Sequence, residues 1–338
     1  MTTAKLRPRA TKTVLIAVLT ALVAALTACG SGPSQINSAV LIDGRSISVD
    51  EVQAILDKVV KEQPAARPLA QQHKLDLVAR EALSQLIVHD LVTKAAREQH
   101  ITANRDDVAK AMNQDPFGQK VPTDGSVPAE ALAAQLVYRA RDLHDTVTDQ
   151  ILLAQLADKN FSGLKVTMDY TTVASDSTGA AAASMRKKAE AKAHEFADNP
   201  NGVADLIAKD RAAGLDANEA AEFAAAQLQD PALVSSVMFG AEEGSVVAFQ
   251  PSAGQAFWVV GLIRKRETNA SGQAAQPPQL SAEQIVAIGK RMLQPLADKI
   301  EIKVSPRYGT WDAASMGVVA SAAESTGIVL APSGTRAQ

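Results

Sequence analysis

The chain has 338 residues, with 34 Lys+Arg against 37 Asp+Glu for a formal net charge of −3, and 46 % of its residues are apolar but only 4 % aromatic. That balance excludes the strong basic field by which nucleic acid or an anionic lipid surface is held, and it favours helices packed on aliphatic and alanine-rich cores. A single cysteine, Cys29, excludes a framework of intrachain disulfides and any cysteine-cluster metal site.

The chain begins "MTTAKLRPRATKT", which carries Lys5, Arg7, Arg9 and Lys12 and no acid, followed by 15 uncharged residues from Val14 to Ala28. A basic leader, a short apolar run and small residues form the pattern of a secretory signal, and the run is shorter than the roughly 20 residues that span a bilayer as a helix. It ends at "LTAC", which resembles the lipobox of bacterial lipoproteins, with Leu26 at −3, Thr27 tolerated at −2, Ala28 at −1 and Cys29 as the first mature residue. The resemblance implies that Cys29 carries a diacylglyceryl group, so that residues 1–28 are removed and the chain is lipid-anchored to the bacterial cell membrane on its extracytoplasmic side. Two acyl chains anchor stably because each buried methylene contributes roughly 0.8 kcal/mol. An ordinary secreted protein with an incidental cysteine is the competing reading. Loss of the leader leaves 310 residues with a net charge of −7, enough for about two domains.

Residues 29–38 read as a flexible tether. "AVLIDGRSIS" then predicts two short strands about the Asp43-Gly44 turn. Ser48 and Glu51 form a capping-box pattern ahead of a helix whose apolar face is Val49, Val52, Leu56, Val59 and Val60. Pro64 and Pro68 break it. Leu83, Leu86, Ile87, Leu91 and Ala95 recur at helical steps in the next segment. Thr102 or Asn104 caps another helix, and after a Pro/Gly loop one long helix is predicted from Ala129 to about Asp158, with Leu132, Leu136, Ala140, Leu143, Val147 and Ile151 along one stripe.

The texture changes near Phe161. Val166, Met168 and Tyr170 alternate as in a strand, an alanine-rich helix covers about 179–198, and a short helix, "GVADLIAKD", follows. An irregular piece surrounds "AAGLDANEAAEF", "DPALVSSVMFGAEEG" predicts a helix, and residues 246–249 and 256–263 predict a hairpin. Residues 268–280 have linker composition. Ser281 and Gln284 open a further amphipathic helix carrying Ile285, Ile288, Met292 and Leu296, a strand follows within "KIEIKVSPRYGTWD", and residues 313–338 are expected to form a disordered tail.

"AVLIDGRSISVDEVQ", the "REALSQLIVHDLVTKAAREQHITANRDDVAKAM" helix pair and the long third helix together resemble the N-terminal helical domain of SurA-type chaperones, with His100 standing where that family has glycine. "PALVSSVMFGAEEGSVVAFQPSAGQAFWVVGLIRKRE" and the element order around it resemble a parvulin domain, the prolyl isomerase module of SurA and of PrsA-type foldase lipoproteins. The resemblance implies an α+β, predominantly helical protein: a SurA-like helical chaperone domain at 39–160, a degenerate parvulin-like domain inserted at 165–267, and a helix and strand at 281–312 returning to the chaperone domain.

Active parvulins carry a histidine in the first strand, where this chain has Tyr170-Thr171-Thr172, and another in the last, where Ala256 or Phe257 stands. The family's proline-pocket Met and Phe fall near Gln229 and Leu233, and its pocket acid is reduced to Gly214-Leu215-Asp216. The degenerate pocket expected from the resemblance is thus Tyr170, Gln229, Leu233 and Phe257. Isomerisation crosses a barrier of about 18–20 kcal/mol for an ordinary peptide bond, and an isomerase must bind the twisted amide better than either planar form. With both histidines replaced, no catalytic residue is expected.

The five histidines, His73, His89, His100, His144 and His194, form no three- or four-residue pair, so no metal site and no cofactor are expected. The adjacent His89 and Asp90 read as a surface or helix-packing contact, with a coupled acid–base pair as the alternative. No nucleophile elbow or phosphate loop is present. The sequence therefore points to an extracytoplasmic, membrane-anchored chaperone or foldase with unfolded exported polypeptides as partners and no nucleic acid. An active prolyl isomerase with a substituted pocket and an envelope scaffold binding one specific partner are the alternatives.

Overall fold

The computed structural model describes residues 37–114, 120–174, 182–228, 230–251, 257–270 and 279–331. The leader, Cys29, most of the tether, Gln229, Ala256 and the body of the linker lie outside the described residues. Strands β1 (Ser38–Ile42) and β2 (Arg45–Ser48) pair antiparallel about a two-residue turn in which Asp43 (φ 48°) and Gly44 (φ 78°) are both left-handed. That geometry matches the twist of the strands, and an Asp-Gly dipeptide tolerates it. Ser48 accepts the Glu51 amide at 3.1 Å while the Glu51 carboxylate accepts the Ser48 amide at 2.7 Å, so the capping box closes at the start of α1 (Val49–Glu62). Val52 and Val59 are buried, but Val60, which the periodicity placed on the apolar face, is 49 % exposed.

A 3₁₀ turn and the short α2 (Arg67–Gln71) lead into α3 (Leu75–Gln99), the central helix, whose Leu83, Ile87 and Leu91 are fully buried. It ends on His100 at φ 56°, the left-handed position that glycine usually fills. Asn104 caps α4 (Arg105–Asn113) by accepting the Asp106 amide at 2.9 Å. The long helix predicted from Ala129 to Asp158 is instead two: α5 (Ala129–Ala140) and α6 (Leu143–Phe161). Arg141 is extended (ψ 169°), and the Asp142 side chain accepts the Asp145 amide at 3.0 Å and starts α6 afresh. Of the stripe predicted through the break, Leu132, Leu136 and Ala140 are buried on α5, whereas on α6 Leu143 and Ile151 are only half-buried and the core side is Leu152, Leu153 and Leu156; the cap is what separates the two helices.

The α/β unit contains β3 (Lys165–Ala174), α7 (Ala182–Asp198), α8 (Val203–Ala212), β4 (Ala217–Ala224), the helical turns α9 (Pro231–Val234) and α10 (Val237–Gly240), and the antiparallel β5 (Val246–Phe249) and β6 (Phe257–Glu267). Two expectations are corrected here. The segment read as irregular is β4, an edge strand on β3 whose alternation is broken by a bulge with Ala220 at φ 47°. The buried Asp169 carboxylate accepts the Ala220 amide at 2.7 Å and holds that bulge. The single helix predicted over "DPALVSSVMFGAEEG" is two four-residue turns, because Ser236 is extended (ψ 162°).

After the linker, α11 (Ala282–Arg291) starts with a Ser281–Gln284 capping box and packs along α6, and α12 (Gln294–Ala297) follows. β7 (Ile302–Val304) then adds to β1, so the segment after the α/β unit completes the sheet β2-β1-β7 of the helical unit. The expected disordered tail is built in as far as Ala331, and residues 332–338 lie outside the described residues. β8 (Thr310–Asp312) and β9 (Gly317–Val319) form a hairpin against α3, where Ser84 Oγ accepts the Val318 amide at 2.8 Å. β10 (Gly327–Leu330) becomes the edge of a five-stranded sheet, β10-β5-β6-β3-β4. The order at 313–331 was not legible locally because three of its partners, β5, Ser84 and Arg186, are more than 70 residues away.

Register sorts the sheet's two faces. Val246, Ala248, Trp258, Val260 and Leu262 pack with Phe196 of α7 and Ile207 of α8 into one core. Val166, Met168, Val247, Phe249 and Ile263 join Phe239 of α10 and the helical unit's residues in a second, larger core. The two units therefore share apolar packing and are not beads on a string.

Candidate functional site

On the inner face of the sheet, Tyr170 lies opposite Gly261 on β6 and Asn218 on β4. Its hydroxyl accepts from Asn218 Nδ2 at 3.0 Å and donates to Asp216 Oδ1 at 3.1 Å, and its ring meets Phe223 at a centroid distance of 6.0 Å. Desolvation pushes the Tyr170 phenol above its ordinary value, so it stays protonated near neutral pH. Tyr170, Phe223, Leu228, Leu233 and Val259 are each half-buried against the larger core, and of these the Tyr170–Phe223 ring pair lies beside the polar cluster. Phe257 opens β6 opposite Ala174, half-buried but packed on neither core, and Gln229 lies outside the described residues. The structure thus brings Tyr170 to Asp216, the acid whose register the "Gly214-Leu215-Asp216" stretch left open. What the arrangement offers is a phenol–carboxylate–amide network for hydrogen bonding, next to exposed ring edges.

A second feature lies in the helical unit. A cavity of about 200 Å³ separates α3 from the α5–α6 corner and α11. Behind it the buried Asp149 carboxylate accepts from Arg141 Nη2 and from His89 Nδ1, each at 2.7 Å. The extended Arg141 that breaks the long helix is thereby explained: its side chain turns inward onto the next helix. His89 and Asp90 form no ion pair with one another; His89 bonds Asp149, and Asp90 pairs with Arg45 on β2. That pair and Lys94–Asp43 match the charges lining a smaller cavity of about 150 Å³ under the β1–β2 turn. Asp142, His144 and Asp145 also cluster, within 4.8 Å, but all three are exposed and Asp142 is engaged as a helix cap.

The hydrogen bond to Asp149 raises the His89 pKa against the opposing effect of burial. A histidine raised in the fold contributes stability that is complete below its unfolded value and is lost as pH rises through the folded one. The melting temperature is therefore expected to fall between pH 6 and pH 9 more in the wild type than in His89→Gln. The difference should be about 2–4 °C, corresponding to the ~1 kcal/mol of a partly exposed charged hydrogen bond. Equal pH slopes in the two proteins would remove this assignment.

Among the described residues no helix is long and apolar enough to cross a membrane. No curated protein matches the sequence. Residues 4–157 match the family described as SurA-like N-terminal domain, a stretch that ends within α6, so α11 and β7 complete in space a unit whose family signature stops before them. The N-terminal part of this chain carries a SurA-like N-terminal domain.

Proposed function

We propose that the protein is a membrane-anchored extracytoplasmic lipoprotein acting as a chaperone or foldase for exported unfolded polypeptides, without prolyl isomerase catalysis of the usual kind. The observation that carries this reading is the SurA-like N-terminal domain at residues 4–157, which takes in the basic leader, the apolar run and Cys29. The α/β unit supports it by keeping the order of strand, helices and final hairpin on which the parvulin resemblance rests, with β4 added among them. Capture of unfolded chains needs apolar surface and hydrogen-bonding groups within reach of one another, not a reacting constellation. The half-buried Tyr170–Phe223 ring pair beside Asp216 and Asn218 supplies both. Where a parvulin has its first-strand histidine, Tyr170 is tied to Asp216 and keeps its proton near neutral pH.

The test is made on the chain purified from membranes. Wild-type protein is expected to take up labelled acyl chains and partition with membranes, and Cys29→Ser to do neither. The purified protein is expected to suppress aggregation of several chemically denatured clients at near-stoichiometric ratios while accelerating a protease-coupled proline-peptide assay no more than buffer does. No protection of any client would refute the chaperone reading, and a clear catalytic rate would replace it with the isomerase.

A further inference from the structure

The 200 Å³ cavity between α3, the α5–α6 corner and α11 has a charge arrangement that the fold does not use. Glu81 on α3 and Lys290 on α11 both line it, and each exerts the largest opposite-charge effect on the other. They nevertheless make no ion pair within 4.0 Å, and the Lys290 ammonium has no protein acceptor among the described residues. Burial pushes the Glu81 carboxyl above and the Lys290 ammonium below their ordinary values, so both charges are held at a cost in stability. Beside them Gln85 donates through Nε2 to Glu81 at 2.8 Å and to the Ala134 carbonyl at 3.3 Å, and its Oε1 is buried with no hydrogen-bond partner.

The open valences define an occupant. Lys290 needs an acceptor, while the Glu81 carboxylate and Gln85 Oε1 need donors. A primary carboxamide carries one carbonyl and two N–H groups on a single planar unit. Val88, Leu153 and Val286 give the same cavity apolar walls suited to methylenes. Its volume equals that of roughly seven waters at about 30 Å³ each, enough for one side chain and too little for a folded segment. A carboxylate in the same place would meet Glu81, and an ammonium would meet Lys290.

We propose that this cavity is a side-chain pocket that takes glutamine from an extended client polypeptide, with its carbonyl on Lys290 and its amide hydrogens on Glu81 and Gln85 Oε1. The proposal rests on the chaperone reading above and adds a preference to it. The charges are retained for the ligand and not for the fold. Lys290 is half-buried and makes no ion pair within 4.0 Å, so replacing its ammonium by an apolar side chain of similar length removes a desolvation cost and is expected to be neutral or stabilising.

The experiment uses the full chain purified from membranes and three fluorescein-labelled twelve-residue unstructured peptides that differ at one central position, Gln, Met or Glu. Anisotropy titration is expected to show the Gln peptide bound at least about tenfold more tightly than the other two, the scale of one charge-assisted hydrogen bond. Lys290→Met is expected to abolish that preference while melting at or above the wild-type temperature. Equal affinities for the Gln and Met peptides in the wild type, a preference that survives Lys290→Met, or a Lys290→Met protein that melts well below wild type each overturn the proposal. Aggregation suppression, measured on the same preparations, separates the two readings. If the wild type and Lys290→Met protect clients equally and neither prefers Gln, the pocket fails and the chaperone reading stands. If neither protects any client but the Gln preference appears and is lost in Lys290→Met, the chaperone reading fails and the pocket stands.

Discussion

Gly289→Val is expected to destabilise the chain by about 3 kcal/mol or more, at the upper end of what overpacking a close contact costs. Gly289 sits in α11 where that helix crosses α6. A Cβ there would overlap the Leu153 carbonyl oxygen, with the carbonyl carbon at 2.5 Å and Leu153 Cα at 3.0 Å. The obstacle is helix backbone, which cannot swing aside as a flexible side chain can. To relieve it α11 must lift from α6, and the burial of Ile288 and Met292 goes with it. Gly289→Ala gives the sharper reading. Alanine is favoured over glycine inside a helix by about 1 kcal/mol, so a helix free of its neighbour gains stability from this change. Here the sign is expected to reverse, with Ala destabilising and Val more so. Urea denaturation followed by circular dichroism measures both. A Gly289→Ala midpoint above that of the wild type would show that α11 does not pack this closely.

Arg291→Met, two residues further along α11, is expected to cost about 3–5 kcal/mol and to loosen the C-terminal strap before the helices. Arg291 is 6 % exposed, and its guanidinium donates to the Ser235 carbonyl at 2.7 Å, to Gln294 Oε1 at 2.6 Å and to the Ala314 carbonyl at 2.6 Å. Those acceptors belong to the α/β unit, to α12 and to the segment between β8 and β9, so one side chain joins three parts of the molecule. Burial lowers its pKa to about 10, which still leaves it charged at neutral pH. Hydrogen bonds to a charged group contribute roughly 1.5–3 kcal/mol each, and methionine leaves two backbone carbonyls without their donor. Arg291→Lys is not expected to rescue, because a single ammonium does not reproduce the planar fork. Hydrogen exchange is the readout, with protection over 310–330 lost first. Uniform loss across the chain would show that Arg291 supports the whole core and not the junction. Because Gly289 and Arg291 share a helix and its docking, the double variant is expected to cost less than the sum of the two.

Both residues belong to the segment that returns after the α/β unit, and they show where reading the chain residue by residue stops. Ser281 and Gln284 marked the start of α11, and Ile288 and Met292 its buried side. Nothing local distinguishes Gly289 from an ordinary helix glycine until Leu153 is placed against it. The candidate sites divide in the same way. Tyr170 was legible as a substitution in a known pattern, but its partner Asp216 came only with the pairing of β3 and β4. Glu81 and Lys290 lie far apart in the chain, and nothing local in the sequence shows that they line one cavity. Arg141 falls inside the single helix predicted from Ala129 to about Asp158, and its place at a helix break comes with Asp149 accepting its guanidinium. The bulge in β4 concealed a strand, since one residue at positive φ shifts the alternation by which strands are recognised.

What the amino-acid order determined alone is whatever depends on neighbours a few residues apart: the Asp43-Gly44 turn, the two capping boxes, the apolar stripes of α3 and α5, and an α+β, mainly helical fold. Each of these is an equilibrium among groups within one or two turns of backbone, so its energetics are written in a short window of sequence. The tertiary structure alone decided that α11 and β7 complete the SurA-like unit, that 313–331 is a strap ending in a fifth strand, and that Glu81, Gln85 and Lys290 converge. Those outcomes depend on contacts between segments tens to hundreds of residues apart, whose closure is repaid only when the whole core forms.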